Sequence, residues 1–256
     1  MRHIDLQACM YDRRGGTFKA GITVSRRTCR ALARDAGKAN SYRFFRIEHR
    51  MHGITRVDDR LQGLAIGEER ALDLAEYGRV SIAFEIEQVL EPTFAEDGLG
   101  GIFLRGLPAA IPRRKDYDEI PGNAPAEWPN QFNLASWGLI AARLEGELGG
   151  GAMIAHDTPD TVLLEGRRDL AVVWDLRVAP EFRRLEIGGA LWRAVEIWAA
   201  RRACRQLKVE TQNTNAGACR FYARQGCYLG AVNRNAYPEL PEEIQLLWYK
   251  DLPLRE

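Results

Sequence analysis

Val172-Val-Trp-Asp175-Leu176-Arg177-Val178-Ala-Pro-Glu-Phe-Arg183-Arg184-Leu185-Glu186-Ile187-Gly188-Gly189-Ala190-Leu191 is the stretch on which the fold turns. A Val- and Leu-rich run reads as a buried strand over 170–178. The chain then bends through arginines and glycines and opens into a helix over 187–203, whose Leu191, Ala194, Val195, Trp198 and Ala199 form one apolar stripe. Free amides in such a turn, backed by the partial positive charge of a helix N-terminus, suit a pyrophosphate. Gly188 and Gly189 would let phosphates approach the backbone, and Arg183 and Arg184 would add charge-assisted bonds. The bland alternative is a tight turn with solvated arginines.

One strand–helix step further lies Glu210-Thr-Gln-Asn-Thr-Asn215-Ala-Gly-Ala218-Cys-Arg-Phe-Tyr222-Ala-Arg-Gln-Gly226. A strand is expected over 206–211 and a helix over 215–225, with Asn215 as its cap. Ala218 and Tyr222 follow at three and seven positions, on the same face. A polar cap, a gap beside a small residue and a phenol suit an extended thiol-bearing arm. The bland alternative is a core helix with a half-buried tyrosine.

Around this centre the pattern is mixed. Residues 80–90 alternate as a strand, and Glu91 to about Asn130 is too rich in Gly and Pro for long regular elements. Strands over 137–145 and 152–156 read as a hairpin joined around Gly149-Gly150-Gly151. Strands are also expected over 228–232 and 244–250. Upstream, short helices are expected over 25–37 and 68–77. A hairpin followed by strand–helix–strand predicts a mixed α/β arrangement.

Residues 1–60 carry 14 Lys or Arg against 6 Asp or Glu, so the remainder is acidic by compensation. The natural division is a basic N-terminal extension, 1–75, and a domain, 76–256; Met51 is an internal methionine. Five scattered cysteines without a CxxC pair argue against a disulfide framework or a zinc site, and no metal is expected. No apolar run reaches the roughly 20 residues of a membrane helix, and no secretory signal is visible, so a reducing cytoplasm is the expected compartment. His52 and His156 stand alone and read as structural or exposed.

Taken together, the two motifs resemble the GNAT acetyltransferase superfamily. Its first motif, Arg/Gln-x-x-Gly-x-Gly/Ala, falls on Arg183, Glu186 and Gly188; its second, Asn-x-x-Ala-x-x-x-Tyr, falls on Asn215, Ala218 and Tyr222 and is complete. Glu186 stands where the family usually has glycine. A left-handed residue other than glycine costs about 1–2 kcal/mol, so the expectation is a loop that bends differently, with Glu186 facing solvent. The run Glu210–Tyr222 with Gly226, Leu229-Gly230 and Leu247-Trp248-Tyr249 is similar to the streptothricin acetyltransferase branch, which acetylates a β-lysine amine. That likeness is dense only over 170–250, and Cys227 replaces the branch's usual phenylalanine.

The resemblance implies a mostly antiparallel twisted sheet flanked by helices, and acetyl-CoA as cosubstrate. The cosubstrate would lie along Leu176, Arg177 and Val178, on Arg183, Arg184, Leu185, Glu186, Ile187, Gly188, Gly189 and Ala190, and beside Asn215, Ala218 and Tyr222. An amine attacks only when neutral, so a proton acceptor is needed, with Asp175 and Glu210 as candidates. Tyr222 is the candidate donor to the leaving thiolate, and amides at 176–178 would stabilise the tetrahedral intermediate. Asp116, Asp118, Glu119, Glu127, Tyr117 and Trp128 fall where this fold places its acceptor wall, and Tyr117, Asp118, Glu119 and Trp128 are the candidate contacts to a small cationic amine. The alternative there is a solvated loop balanced by Arg113, Arg114 and Lys115. A homodimer is the candidate assembly. Rival readings are a protein or peptide N-acetyltransferase, and a non-catalytic acyl-CoA- or nucleic-acid-binding protein suggested by the basic N-terminus; with no basic–aromatic interleaving, nucleic acid is not the expected partner.

Overall fold

The computed structural model describes residues 63–69, 73–159 and 161–253. The expected helix over 25–37, most of the basic extension and His52 lie outside them. Nine strands and three helices follow in the order β1 (Leu64–Glu68), α1 (Leu74–Tyr77), β2 (Phe84–Phe94), β3 (Ile102–Lys115), β4 (Gly138–Leu144), β5 (Glu147–His156), β6 (Leu170–Val178), α2 (Ile187–Arg201), β7 (Gln206–Gln212), α3 (Ala216–Arg224), β8 (Tyr228–Asn233) and β9 (Gln245–Asp251). Seven strands form one sheet in the order β1-β4-β5-β6-β7-β9-β8, and β2 and β3 form a separate ribbon. Only β6 and β7 run parallel; every other pair is antiparallel. This is the mixed, mostly antiparallel sheet that the sequence suggested.

Strand alternation sends side chains to two cores. One lies under α2 and α3, where Ala171 and Val173 of β6 meet Leu191, Trp192, Val195 and Trp198 of α2 and Tyr222 of α3. Burying each large apolar side chain contributes roughly 1.5–3 kcal/mol, so the stripe of α2 supplies most of its own anchorage. The other core covers the opposite face, where Leu170 and Val172 meet Tyr77, Trp128, Trp137 and Met153.

Four expectations need correction. Glu68 ends a strand rather than starting a helix: β1 pairs with β4, and Glu68 is fixed by Trp198 Nε1 (2.7 Å) and Arg202 (2.7 Å). The sheet therefore begins upstream of residue 76. The strand expected over 80–90 starts four residues later, at Phe84, and extends to Phe94. The Gly/Pro-rich middle holds the fourteen-residue β3. Prolines are tolerated there because a two-stranded ribbon is all edge, and Pro112 falls where the register breaks between Ile86 and Gln88. The hairpin between β4 and β5 turns at Glu145 and Gly146, both at positive φ (52° and 94°), as a two-residue turn requires. The three glycines lie inside β5 instead. A Cβ at Gly151 would sit 2.8 Å from the Tyr77 ring and 2.9 Å from the Ile140 carbonyl oxygen, so they serve close packing.

Candidate functional site: a cleft between two splayed strands

β6 and β7 pair only from Leu170 to Val173 and from Gln206 to Val209. Beyond that point the two strands part. The cause is a bulge in β6: Met153 faces Asp175 and Ile154 faces Val173, so Trp174 is the extra residue. As a result Trp174 and Asp175 fall on the same side, with Trp174 against Phe132 and Trp137 and Asp175 against Tyr77. β6 continues unpaired on its β7 side to Val178, and β7 continues to Gln212. The amide of Ala179 bonds to Gly149 on the β5 side (2.9 Å). By alternation the main-chain groups of Leu176 and Val178 face the gap.

The turn after β6 leads into α2 at the mouth of this gap. Its first helical amides are open, because Glu186 caps the helix without a side-chain bond. Glu186 keeps the left-handed conformation (φ 62°), and Arg184 shares it (φ 65°). The loop therefore does not bend differently, although the Glu186 side chain is exposed as expected. Arg183 does not point freely at a phosphate site: its guanidinium donates to the carbonyls of Val178 (2.9 Å), Ala83 (3.0 Å) and Ser81 (2.9 Å). Arg184 is exposed and carries no ion pair among the described residues. At Gly188 a Cβ would approach the Phe221 ring to 3.2 Å, so that glycine lets α2 lie close to α3. Leu185 and Ala190 are half-buried against the same core, and Ile187 is fully within it. At Gly189 a side chain would meet only ordinary contacts.

On the far side, Asn215 caps α3, its Oδ1 accepting from the Ala218 amide (3.0 Å). Tyr222 is buried with its ring against Trp192 (5.3 Å) and Phe221 (5.1 Å). No described residue hydrogen-bonds its hydroxyl, and burial pushes its ionisation well above the ordinary phenol range.

The two candidate bases sit on opposite arms of the splay. Asp175 on β6 accepts from Arg177 Nε (2.9 Å) and Nη2 (2.6 Å) and from the Tyr77 hydroxyl (2.5 Å). Arg177, with its side chain fully buried, also grips Asp118 (2.8 and 3.1 Å) and the Val80 carbonyl (3.0 Å). Glu210 on β7 has no such cation. It accepts from the Tyr237 hydroxyl (2.5 Å) and Gln245 Nε2 (2.7 Å), and burial raises its carboxyl above the usual range.

The expected acceptor wall divides. Tyr117 reaches the β7 arm: its hydroxyl donates to Gln212 Oε1 and lies 3.5 Å from Asn215 Nδ2. Asp118 is held by Arg177, and Glu119 by Arg114 (3.1 Å), which also takes Asp116. Trp128 is a core residue, 3% exposed, its indole donating to the Asn123 carbonyl (2.8 Å). It lies under α1 rather than in the cleft because Pro125 and Trp128 anchor a 3-10 turn over Tyr77. Lys115 is paired with Glu243 and sits over the Tyr117 ring. His156 serves structure, bonding the Arg168 carbonyl (3.0 Å).

Sequence reasoning missed Gln212, Tyr237, Gln245 and Tyr77. Gln212 was within reach, since strand alternation puts it on the Glu210 face. Tyr237 comes from an irregular segment and carries no periodic signal.

Known proteins resemble this chain in sequence and in fold. Residues 109–227 match the Acetyltransferase (GNAT) family. Streptothricin acetyltransferase A of Bacillus subtilis (strain 168) is 36% identical over 81 residues, which are 31% of this chain and 47% of that protein. The streptothricin acetyltransferase of Escherichia coli is 30% identical over 103 residues, 39% of this chain and 59% of that protein. The matched stretches thus span about half the length of these curated relatives. In three dimensions the chain is similar to a Bacillus anthracis str. Ames protein assigned as a streptothricin acetyltransferase and solved with acetyl coenzyme A. The TM-score is 0.59 at 21% identity, over 74% of this chain and 99% of that one, which is a likeness of fold. The stretch that matches the GNAT family, residues 109–227, holds both arms of the splayed parallel pair and both motif helices.

Proposed function

We propose that the protein transfers the acetyl group of acetyl-CoA to the primary amine of a small cationic acceptor, with the β-lysine amine of streptothricin antibiotics as the leading candidate. The observation that carries this reading is the cleft itself, with an unneutralised carboxyl on one arm and a free phenol on the wall between the arms. The main-chain groups of Leu176 and the Val178 amide, left without a strand partner on that side, fit the amides of a pantetheine arm. The first amides of α2 fit a pyrophosphate, with the exposed Arg184 beside them and Arg183 bracing the loop from behind. Asn215 and Ala218 border the arm's path toward Tyr222. Acetyl-CoA supplies an electrophilic thioester carbon and a thiolate leaving group.

Glu210 takes the proton that the amine gives up as its nitrogen bonds the acyl carbon. A carboxyl raised by burial is a stronger base nearer neutrality than a solvated one. Tyr222 gives its proton to the sulfur as the carbon–sulfur bond breaks, and its raised ionisation keeps it in the protonated form that a donor needs. The products are an amide and free CoA thiol, so protons and electrons balance. Tyr117, with its hydroxyl on the β7 arm, flanks the acceptor, whereas Asp175 and Asp118 hold the β6 arm together through Arg177. The streptothricin branch rests on the two curated relatives and on the Glu210–Tyr222 run.

The test is twofold. Acetyl-CoA should raise the melting temperature of the full chain, since any ligand of the native state does, and purified protein should release CoA thiol when streptothricin is added. No thermal shift at millimolar acetyl-CoA overturns the transferase reading. A shift with transfer only to polyamines or lysine peptides keeps the transferase and replaces the acceptor.

A further inference from the structure

The Glu210 carboxylate is the end of a hydrogen-bonded chain that runs along the β7 arm, and its members come from four separate parts of the sequence. Asn215 Nδ2 lies 3.5 Å from the Tyr117 hydroxyl. That hydroxyl donates to Gln212 Oε1. Gln212 Nε2 donates to the Tyr237 hydroxyl (2.8 Å), and Tyr237 donates to Glu210 Oε1 (2.5 Å). The other carboxylate oxygen takes Gln245 Nε2 at 2.7 Å. Every donor points the same way, toward Glu210, so the dipoles along the chain add. An amide in the middle cannot hand a proton through, so the chain orients groups and does not conduct.

We propose that Tyr237 is a positioning residue for the acyl transfer: its hydroxyl fixes one oxygen of the Glu210 carboxylate and, through Gln212, ties that carboxylate to Tyr117 on the acceptor wall. The inference rests on Glu210 as the base. Two features make the Tyr237 link the decisive one. It is the shortest of the three direct bonds to Glu210, the others coming from Gln245 Nε2 (2.7 Å) and Gln212 Nε2 (3.4 Å), and its hydroxyl also takes the Gln212 amide at 2.8 Å. The charges around Glu210 do not substitute for it. Lys208, two residues away on β7, is committed to Glu165 (2.7 Å) and the Leu163 carbonyl (3.0 Å). Lys115, from the end of β3, is committed to Glu243, the residue two before Gln245. Neutral donors therefore hold Glu210 in place, and they do so without the full neutralisation that Arg177 gives Asp175. That balance suits a base, because a hydrogen bond to the charged form steadies the carboxylate while burial keeps it basic.

Tyr237→Phe retains the ring and removes the donor. Loss of a bond to the charged form raises the carboxyl further, so the acidic limb of the turnover profile should move to higher pH. Turnover should fall at pH 6–7 by about tenfold and recover toward the native value at high pH, with the Michaelis constant for acetyl-CoA unchanged. A purely structural tyrosine would instead lower the activity at every pH. The acceptor-independent readout is a carbon-13 titration of glutamate-labelled full-length protein, with the Glu210 signal assigned by its loss in Glu210→Gln. Its midpoint should rise in Tyr237→Phe; an unchanged or lower midpoint overturns the proposal. Should Tyr237→Phe not fold, Gln212→Met removes the amide that bonds Tyr237 together with its own long bond to Glu210 (3.4 Å), and should move the midpoint in the same direction by less; no movement there overturns it equally. The parent reading fails separately: Glu210→Gln with undiminished transfer to streptothricin removes Glu210 as base, whereas abolished transfer with an unmoved Tyr237→Phe titration sinks only this inference.

Discussion

Asp175 and Glu210 occupy matching places on the two arms of the splayed strand pair, yet their surroundings give them opposite work. Asp175 accepts three bonds, two of them from a fully buried guanidinium, and that guanidinium also anchors Asp118. A carboxylate so compensated is committed to holding Arg177 in place. Glu210 meets a phenol and the neutral side-chain amides of Gln245 and Gln212, and burial pushes its carboxyl above the usual range. The difference teaches that place on the cleft alone does not mark a carboxylate as the proposed base; the charge of its neighbours does.

The largest expected effect is on stability. Asp175→Ala leaves Arg177 buried without its main partner, and breaking a buried pair in this way costs about 3–5 kcal/mol. For a domain of this size, thermal unfolding should fall by roughly 10 °C. A loss under 1 kcal/mol would mean that Asp118 alone satisfies Arg177. Next comes Tyr222→Phe. The ring packing against Trp192 and Phe221 survives, so stability should hold while turnover drops by about 10²–10⁴-fold and the Michaelis constant for acetyl-CoA stays level. Unchanged turnover would reduce Tyr222 to packing.

The pH dependence sharpens the contrast. Because the Glu210 carboxyl is raised in the folded chain, its protonated form is the one the fold favours. The associated stability is fully present at pH below the unfolded glutamate value, and it is lost as pH rises through the folded one. Glu210→Gln should accordingly gain stability relative to the native protein at pH 8 over pH 4, as denaturant titrations at the two pH values would read; a gain confined to pH 4 contradicts the assignment. The smallest effect belongs to the turn. Glu186→Gly relieves a left-handed residue and should stabilise by about 1 kcal/mol, with acetyl-CoA binding by calorimetry unchanged or tighter. A large loss of binding would give the Glu186 side chain a role that its exposure does not suggest.

The sequence carries these features unevenly, and the reasons are physical. β6 reads from its apolar run Leu170–Trp174 because both faces are buried there, and its bounds match. Asn215 reads as a cap because capping is local, a bond across three residues. The ribbon strand β3 is invisible to a reading that takes proline as a breaker, since only an edge position tolerates Pro108 and Pro112. The Gly149–Gly151 run reads as a turn because glycine signals both turns and close approach, and only the packing of Tyr77 tells them apart. Within the site, Glu210 and Tyr222 stand out in sequence, but their partners do not. Tyr77 and Tyr237 reach the two carboxylates across 98 and 27 residues of chain, and no spacing rule reports such contacts.

The most direct trial of the account sets the two carboxylates side by side in one assay, with Glu210→Gln and Asp175→Asn compared for turnover of acetyl-CoA and streptothricin at saturating concentrations of both. The account predicts a fall of about 10²–10⁴-fold for Glu210→Gln in a protein that still folds. For Asp175→Asn it predicts that the loss appears in thermal stability, with turnover of the folded fraction within a few fold of native. Retained turnover in Glu210→Gln together with its collapse in well-folded Asp175→Asn would contradict it.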